Sequence, residues 1–87
     1  MRKMYLDDLT QDAIAAEVFR ARLKFPKNRN LLPALMEEVG ELAQAFLQRK
    51  PKDEIEKEAI QVACVAIRIL EEGCPEFDAI DAEGSKP

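Results

Sequence analysis

Apolar residues recur every three or four positions along most of this chain, which is the spacing of amphipathic helices. Prolines interrupt the pattern at Pro26 and Pro51. Because a proline disfavours helical backbone at the residue before it, we predict three helices, over residues 10–25, 31–49 and 54–72. The whole chain is then a single all-α domain.

The ends of these helices carry typical capping residues. Asn30 stands before the second helix, and Asp53 with Glu56 has the spacing of a capping box at the start of the third. Gly73 is a natural stop for the third helix, since glycine adopts left-handed backbone at little cost. We expect at most one short turn in the tail, residues 76–87.

The apolar stripes predict how the helices pack. The third helix carries an apolar arc wider than one neighbour requires, which is typical of a helix buried between its own subunit and a partner. We therefore predict a helical bundle of three main helices per chain that dimerisation completes. The predicted core stripes are Ile14, Val18, Ala21 and Phe25 in the first helix and Leu32, Leu35, Met36, Val39, Leu42, Ala43 and Phe46 in the second.

Composition narrows the class of protein. The chain has 87 residues, enough for one small core, and no histidine, which excludes histidine bases and the commonest zinc ligand. Cys64 and Cys74 are too few for a disulfide framework, and the helical pattern puts Cys64 on the polar side of the third helix. A small core without disulfides or zinc needs another source of stability, so we expect at least a homodimer.

Charge and the first residues bear on partners and location. Thirteen basic and seventeen acidic residues give a net charge of −4, so neither a nucleic acid polymer nor an anionic membrane is the expected partner. The amino-terminal residues carry no apolar signal segment, and no run approaches the roughly eighteen apolar residues of a membrane span. We therefore expect a cytoplasmic protein.

Four glutamates lack the basic neighbour that an exposed helical glutamate ordinarily has one turn away. Glu38 borders the apolar stripe of the second helix, and Glu58 lies inside the apolar arc of the third, where a bare carboxylate is costly. Gly40, in the middle of the second helix, indicates that something approaches closely there. The four glutamates are Glu37, Glu38, Glu41 and Glu58.

Carboxylates that converge from two helices, without histidine or thiolate, suit a hard ion that prefers oxygen. Mg²⁺ or Mn²⁺ fits best. The alternative is a buried salt bridge from another helix, with Arg20, Arg22 or Arg68 as the donor. Three carboxylates on one helix and a fourth in an apolar arc favour the metal.

Basic residues concentrate in residues 20–29, which hold five of them and no acid, whereas the rest of the chain has eight against seventeen acids. A basic segment beside a carboxylate-bound ion is what a polyphosphate requires, because the ion bridges oxygens and the cations neutralise the remainder. The alternative is a solvated basic face. No glycine-rich phosphate loop occurs in the sequence, so any phosphate site is built from side chains and metal.

Residues 37–43 read EEVGELA, which resembles the EExxE signature of the MazG-like, all-α nucleoside triphosphate pyrophosphohydrolases. The preceding KFPKNRNLLPAL is similar to the loop and helix start that lead into that motif. The family's second motif, ExxD, has its place here at Glu58-Ala-Ile-Gln61, with glutamine instead of aspartate. The likeness spans roughly residues 18–72.

The resemblance implies a reaction and roles for the residues that match it. The reaction is hydrolysis between the α- and β-phosphates of a nucleoside triphosphate, which gives a monophosphate and pyrophosphate. Glu38, Glu41 and Glu58 would hold magnesium, and Glu37 would be a further ligand or orient the attacking water, so Glu37 and Glu38 are the expected catalytic residues. Gln61 offers a carbonyl oxygen that could bind the metal more weakly than an aspartate.

The implied substrate contacts lie in the basic segment and on the third helix. The cations would contact phosphate, and Phe25 and Asn28 would help to form the base pocket. The full set is Lys24, Phe25, Lys27, Asn28, Arg29 and Arg68.

We therefore expect a magnesium-dependent nucleotide pyrophosphohydrolase, with Mn²⁺ as a substitute, that assembles as a homodimer or a dimer of dimers. An enzyme of the phosphoribosyl-ATP pyrophosphohydrolase type is the enzymatic alternative. The alternative from another class is a non-catalytic helical interaction module whose metal site is degenerate at Gln61.

Overall fold

The computed structural model of the chain describes residues 4–73 and 75. This part of the chain forms three long helices and contains no strand, which confirms the prediction of an all-α fold with three main helices. The turn that the sequence predicts in residues 76–87 lies outside the described residues. The helices are α1 (Asp8–Lys24), α2 (Leu31–Leu47) and α3 (Lys52–Glu72).

The start of α3 differs from the predicted capping box. The helix begins at Lys52, directly after Pro51, whose side chain makes no capping hydrogen bond. Asp53 and Glu56 therefore lie inside the helix, and the capping-box prediction is wrong. Pro51 holds the N-cap position with extended backbone (φ −55°, ψ 152°), and its carbonyl accepts the Ile55 N–H at 3.1 Å. Asp53 and Glu54 still favour this end of the helix, since negative charge in the first turn complements the helix dipole.

The end of α2 comes at Leu47, two residues before the predicted end. Arg49 takes a left-handed conformation with φ 55°, and its N–H bonds the Phe46 carbonyl at 3.1 Å. The Lys50 N–H bonds the carbonyl of Ala45 at 3.0 Å. These two bonds form a Schellman motif, so arginine fills the position that glycine usually occupies.

Two further helix ends involve left-handed backbone. Gly73 ends α3 with φ 78°, and its N–H bonds the Ile69 carbonyl at 3.0 Å, so the prediction of this stop is confirmed. Asn30 precedes α2 as predicted, but with φ 61° and no capping bond from its side chain. The Asn30 carbonyl instead accepts the Ala34 N–H at 3.0 Å. Its prediction as a side-chain cap is wrong, because that cap needs extended backbone.

α3 is the central helix, since it packs against both α1 and α2. Its wide apolar arc is therefore used in part within one chain. Few apolar residues are buried. Among the described residues, the buried ones are Val18, Leu31, Ala45 and Cys64. Cys64 is 1% exposed, so the polar side of α3, on which the sequence places it, is buried at this position. That side of α3 is covered, because Arg68, one turn further on, reaches backbone carbonyls of α1 and of the loop after it.

The predicted core stripe of α2 divides into two sides. Leu35 and Leu42 are half-buried, whereas Met36 is 69% and Phe46 is 70% exposed. Leu32, Val39 and Ala43 are exposed as well. Both sides of the helix are apolar, so periodicity alone does not distinguish the side that meets α3. The outer stripe, defined as Leu32, Met36, Val39, Ala43 and Phe46, is exposed in the described chain.

The predicted stripe of α1 is confirmed at three positions. Val18 is buried, and Ile14 and Ala21 are half-buried. Phe25 is 59% exposed and is not part of the core. None of the helices in the described part of the chain combines the length and apolarity that crossing a membrane requires.

Candidate metal and phosphate site

Three carboxylates from two helices meet between α2 and α3. Glu38 and Glu41 are one helical turn apart on α2, and the packing of α3 brings Glu58 to them. One oxygen from each of the three residues lies within 4.8 Å of the others. We call Glu38, Glu41 and Glu58 the carboxylate cluster. Converging carboxylate oxygens are the donors that Mg²⁺ and Mn²⁺ prefer.

Two oxygens of the carboxylate cluster have no partner. Glu38 Oε2 and Glu58 Oε2 are buried and accept no hydrogen bond. An unsatisfied buried acceptor costs about 1–3 kcal/mol, and more when it is charged. Glu41 is exposed, so one edge of the carboxylate cluster faces solvent.

The charge of the cluster is unfavourable in the protein alone. Burial raises the pKa of Glu38 above its ordinary value, and repulsion by Glu41, Glu58 and Glu37 raises this pKa further. No basic group contributes to the shift. A bound cation would reverse it, because positive charge within a few ångströms favours the ionised carboxylate.

The salt-bridge alternative is not formed among the described residues. An arginine beside the cluster would satisfy Glu38 Oε2 or Glu58 Oε2, yet both lack a partner. The three candidate donors bind elsewhere: Arg20 pairs with Glu17, Arg22 with Glu71 and Glu72, and Arg68 with Glu72.

A cleft of about 370 Å³ opens beside Glu38. We call it the Glu38 cleft. Its wall combines the cations Lys27 and Arg29 from the loop after α1 with Phe25 and Gln61. The structure thus brings several predicted substrate and metal residues to one cavity. The remaining lining residues are Ala21, Asn30, Leu31, Ala34, Cys64, Val65 and Arg68.

Two predicted substrate residues do not line this cleft. Lys24 lies beside it, with its Nζ 5.4 Å from the centroid of the Phe25 ring. Asn28 is tied to the end of α3: its Nδ2 donates to the Glu72 carbonyl at 2.7 Å and to the Gly73 carbonyl at 3.4 Å. Asn28 therefore fixes the loop to α3 rather than facing the cleft.

Arg68 lines the cleft, but protein groups occupy most of its donors. The residue is 2% exposed. Its Nε and Nη2 bind the two carboxylate oxygens of Glu72 at 2.9 Å each. Nη2 also donates to the carbonyls of Phe25 at 2.8 Å and Lys27 at 3.3 Å, and Nη1 to that of Ala21 at 3.4 Å. Arg68 thereby clamps the loop that carries the basic residues.

Gln61 also has a partner that the sequence does not reveal. Its side chain hydrogen-bonds the carboxylate of Glu17 on α1, and this bond, with a second from Arg20, lowers the pKa of Glu17. In the sequence, the basic residue one helical turn from Glu17 is Arg20. The bond to Gln61 joins two helices that are far apart in sequence, and no periodicity signals it.

Two other predicted features lie at the solvent side of α2. Glu37 is exposed, one position before Glu38 and outside the carboxylate cluster. Gly40 has nothing within 4 Å of the position that a Cβ would occupy. The prediction that something approaches Gly40 closely is wrong for the described part of this chain.

No family model, no curated protein and no solved structure matches this chain. The resemblance of residues 37–43 to the EExxE signature therefore stays a prediction.

Proposed function

We propose that this protein is a magnesium-dependent nucleoside triphosphate pyrophosphohydrolase of the MazG-like kind. It hydrolyses a nucleoside triphosphate between the α- and β-phosphates to a monophosphate and pyrophosphate. The observation that carries the proposal is the pair of buried, partnerless oxygens Glu38 Oε2 and Glu58 Oε2 in a carboxylate cluster beside a basic loop. The EEVGELA motif supplies Glu38 and Glu41.

The geometry of the cluster fits a divalent ion. Two oxygens bound to one Mg²⁺ at about 2.1 Å lie at most about 4.2 Å apart. The three carboxylate oxygens lie within 4.8 Å of one another, so they would draw closer together around one ion. Glu38, Glu41 and Glu58 would hold the ion, and Gln61, on the neighbouring wall, would add its carbonyl oxygen. Mn²⁺ binds the same carboxylate and carbonyl oxygens.

Different residues of the chain have different roles in the proposed hydrolysis. A bound magnesium ion lowers the pKa of its water and neutralises phosphate charge. Glu37, exposed beside the cluster, orients the attacking water and accepts its proton. The water oxygen forms a bond to the α-phosphorus, the bond from that phosphorus to the bridging oxygen breaks, and pyrophosphate leaves. Lys27 and Arg29 bind the oxygens on which negative charge accumulates.

The remaining wall of the Glu38 cleft suits a nucleoside. Phe25, Ala21, Leu31 and Val65 present apolar surface next to the cations. A base can pack on the exposed ring of Phe25 while the phosphates extend toward Lys27. The clamp by Arg68 matters for this arrangement, because it sets the backbone between these two groups.

We also propose that the protein acts as a homodimer or a dimer of dimers. The outer stripe of α2 supports this proposal, because it is apolar and exposed along the whole helix. A small, incompletely buried core favours association, which removes apolar surface from water.

A second candidate, a non-catalytic helical interaction module, is favoured by the same outer stripe, which can bind another helix without any chemistry. Thermal unfolding with Mg²⁺ and a non-hydrolysable nucleoside triphosphate analogue separates the two. An enzyme is stabilised on the order of 10 °C when ligand exceeds its Kd about a hundredfold. Glu41→Gln removes this gain, whereas the control Glu56→Gln, on the exposed side of α3, keeps it. An interaction module shows no gain in any variant.

A further inference from the structure

The loop between α1 and α2 contains one residue that is partly withdrawn from solvent. Among residues 22–30, Asn28 alone is half-buried, and the residues on both sides of it are exposed. Its neighbours Lys27 and Arg29 line the Glu38 cleft, whereas Asn28 does not. Asn28 therefore separates the two cations of the cleft in sequence and has a different environment from both.

The side chain of Asn28 is attached to the carboxyl end of α3. Its Nδ2 donates to the Glu72 carbonyl at 2.7 Å and to the Gly73 carbonyl at 3.4 Å. Carbonyls at the end of a helix have no partner within the helix, so they accept bonds from outside it. Because both partners are carbonyl oxygens, only the amino end of the amide can face them.

Arg68 attaches the same loop at a neighbouring place. Its Nη2 donates to the carbonyls of Phe25 at 2.8 Å and Lys27 at 3.3 Å. These bonds hold the backbone on the amino-terminal side of Asn28. Asn28 is the next attachment along the chain, and Arg29 follows it directly.

We propose that Asn28 is a positioning residue for the triphosphate: its attachment to the end of α3 holds Lys27 and Arg29 at the Glu38 cleft, where they bind phosphate oxygens. A loop that is already held in place loses less conformational freedom when a ligand binds, so the ligand binds more tightly. The inference rests on the proposed function. It gives Asn28 a role in supporting the phosphate contacts instead of the contact with the base that the resemblance implies.

The test is the affinity of the full-length protein for the Mn²⁺ complex of inorganic triphosphate, measured by isothermal titration calorimetry. This probe carries the phosphates without a base. Asn28→Ala is expected to weaken its binding about tenfold, because the loop must then become ordered on binding. The affinity for Mn²⁺ alone is expected to stay unchanged, since Asn28 is not part of the carboxylate cluster.

A double-mutant cycle distinguishes positioning from a general loss of structure. In a protein that carries both Lys27→Ala and Arg29→Ala, Asn28→Ala is expected to weaken triphosphate binding no further, because Asn28 acts through these two cations. Asn28→Leu keeps a side chain of similar size that cannot donate a hydrogen bond. It is expected to weaken binding as much as Asn28→Ala does, and it replaces that variant if the alanine protein fails to fold.

Gln11→Ala is the matched control. The Gln11 side chain is also an amide that donates to a backbone carbonyl, that of Leu6 at 2.9 Å, and it does not line the Glu38 cleft. Its replacement is expected to leave the affinity for the triphosphate complex unchanged.

The inference is overturned if Asn28→Ala weakens triphosphate binding equally with and without the two cations, if it weakens the binding of Mn²⁺ alone to the same degree, or if Asn28→Leu binds like wild type. A wild-type protein that binds Mn²⁺ but not its triphosphate complex overturns both this inference and the proposed function. The expected coupling without release of pyrophosphate from any nucleoside triphosphate contradicts the proposed reaction and leaves the role of Asn28 standing.

Discussion

The Glu38 carboxylate is unfavourable in the metal-free protein, although the proposed metal site requires it. Its Oε2 is buried without a partner, and burial with repulsion from neighbouring carboxylates raises its pKa. In the protein alone the ionised form is therefore destabilising. A raised folded-state pKa means that folding loses stability as the pH rises through the unfolded value of 4.5 toward the folded one.

Replacement of the Glu38 carboxylate by an amide tests whether its ionised form destabilises the metal-free protein. Without metal, Glu38→Gln is expected to be more stable than wild type by about 1 kcal/mol at pH 7, and the difference should shrink as the pH falls to 4.5 and below. Urea denaturation at several pH values measures it, with Glu56→Gln as the control for an exposed glutamate. A destabilised Glu38→Gln protein at pH 7 would show that the buried oxygen has a partner after all.

Glu72 is the opposite case. It binds Arg68 and Arg22, and these bonds lower its pKa to about 2. A depressed pKa gives stability that is present above the unfolded value of 4.5 and is lost as the pH falls toward about 2. The difference between those two values corresponds to roughly 3 kcal/mol.

We predict that Glu72→Gln costs about 2–3 kcal/mol at pH 7 and progressively less below pH 4.5. Urea denaturation from pH 7 to pH 3 checks this. Glu71→Gln is the matched control, since the Glu71 side chain is 58% exposed and pairs only with Arg22 among the described residues. It is expected to cost less than about 1 kcal/mol. A cost of Glu72→Gln that does not change with pH would contradict the assignment.

At the scale of the helices, the polar side of α3 is a contact surface. Gln61, Cys64 and Arg68 follow one another at helical spacing. Gln61 hydrogen-bonds the Glu17 carboxylate, Arg68 donates to the carbonyls of Ala21 and Phe25, and Cys64 is buried between them in sequence. A buried polar network of this kind stabilises one arrangement of the helices, because each donor requires its acceptor.

Arg68→Lys tests the clamp. Lysine cannot bind Glu72 through two parallel bonds and at the same time reach the carbonyls of Phe25 and Lys27, so we expect a loss of about 3 kcal/mol in the free energy of unfolding. Arg22→Lys is the control, because the Arg22 side chain is 43% exposed; it should cost less than about 1 kcal/mol. Equal costs for the two variants would mean that Arg68 does not act as a buried clamp.

The sequence predicts the bounds of the helices but not the contacts that the polar side of α3 makes. Periodicity located the three helices to within two residues at each end, because helix bounds depend on local signals such as Pro51 and Gly73. Periodicity did not reveal that the polar side of α3 is buried at Cys64, since a stripe that contains Gln61 and Arg68 is indistinguishable from a solvated face until the contacts with α1 are known. The sequence identified the unpaired glutamates because the absence of a basic residue one helical turn away can be read directly from it. The bond between Glu17 and Gln61 could not be predicted in this way, because it joins two helices that are far apart in sequence.

At the scale of the whole molecule, large apolar side chains are exposed on the surface of the described chain. Four hydrophobic residues are buried in the described part of the chain, and of these only Cys64 is fully buried, while Met36, Phe46 and other large side chains face outward. An apolar stripe along an entire helix is typical of a face that meets a second helix.

We predict that the double substitution Met36→Glu and Phe46→Glu prevents self-association. Two charges on the outer stripe would have to lose their water in an interface, which is unfavourable. Size-exclusion chromatography with light scattering measures the mass against the 9.8 kDa of one chain. Leu9→Glu, at a 78% exposed position of α1, is the control and should leave the oligomer intact. A monomeric wild type, or an unchanged mass in the double variant, would contradict the prediction.

The most direct test of the account is the release of pyrophosphate from a panel of canonical and damaged nucleoside triphosphates, with and without Mg²⁺. The account predicts magnesium-dependent formation of monophosphate and pyrophosphate by the wild-type protein, lost in Glu38→Gln and retained in Glu56→Gln. The ranking of the panel would then identify the preferred base. Absence of pyrophosphate with every nucleotide, from folded protein that contains Mg²⁺, would contradict the proposed reaction and favour the interaction module.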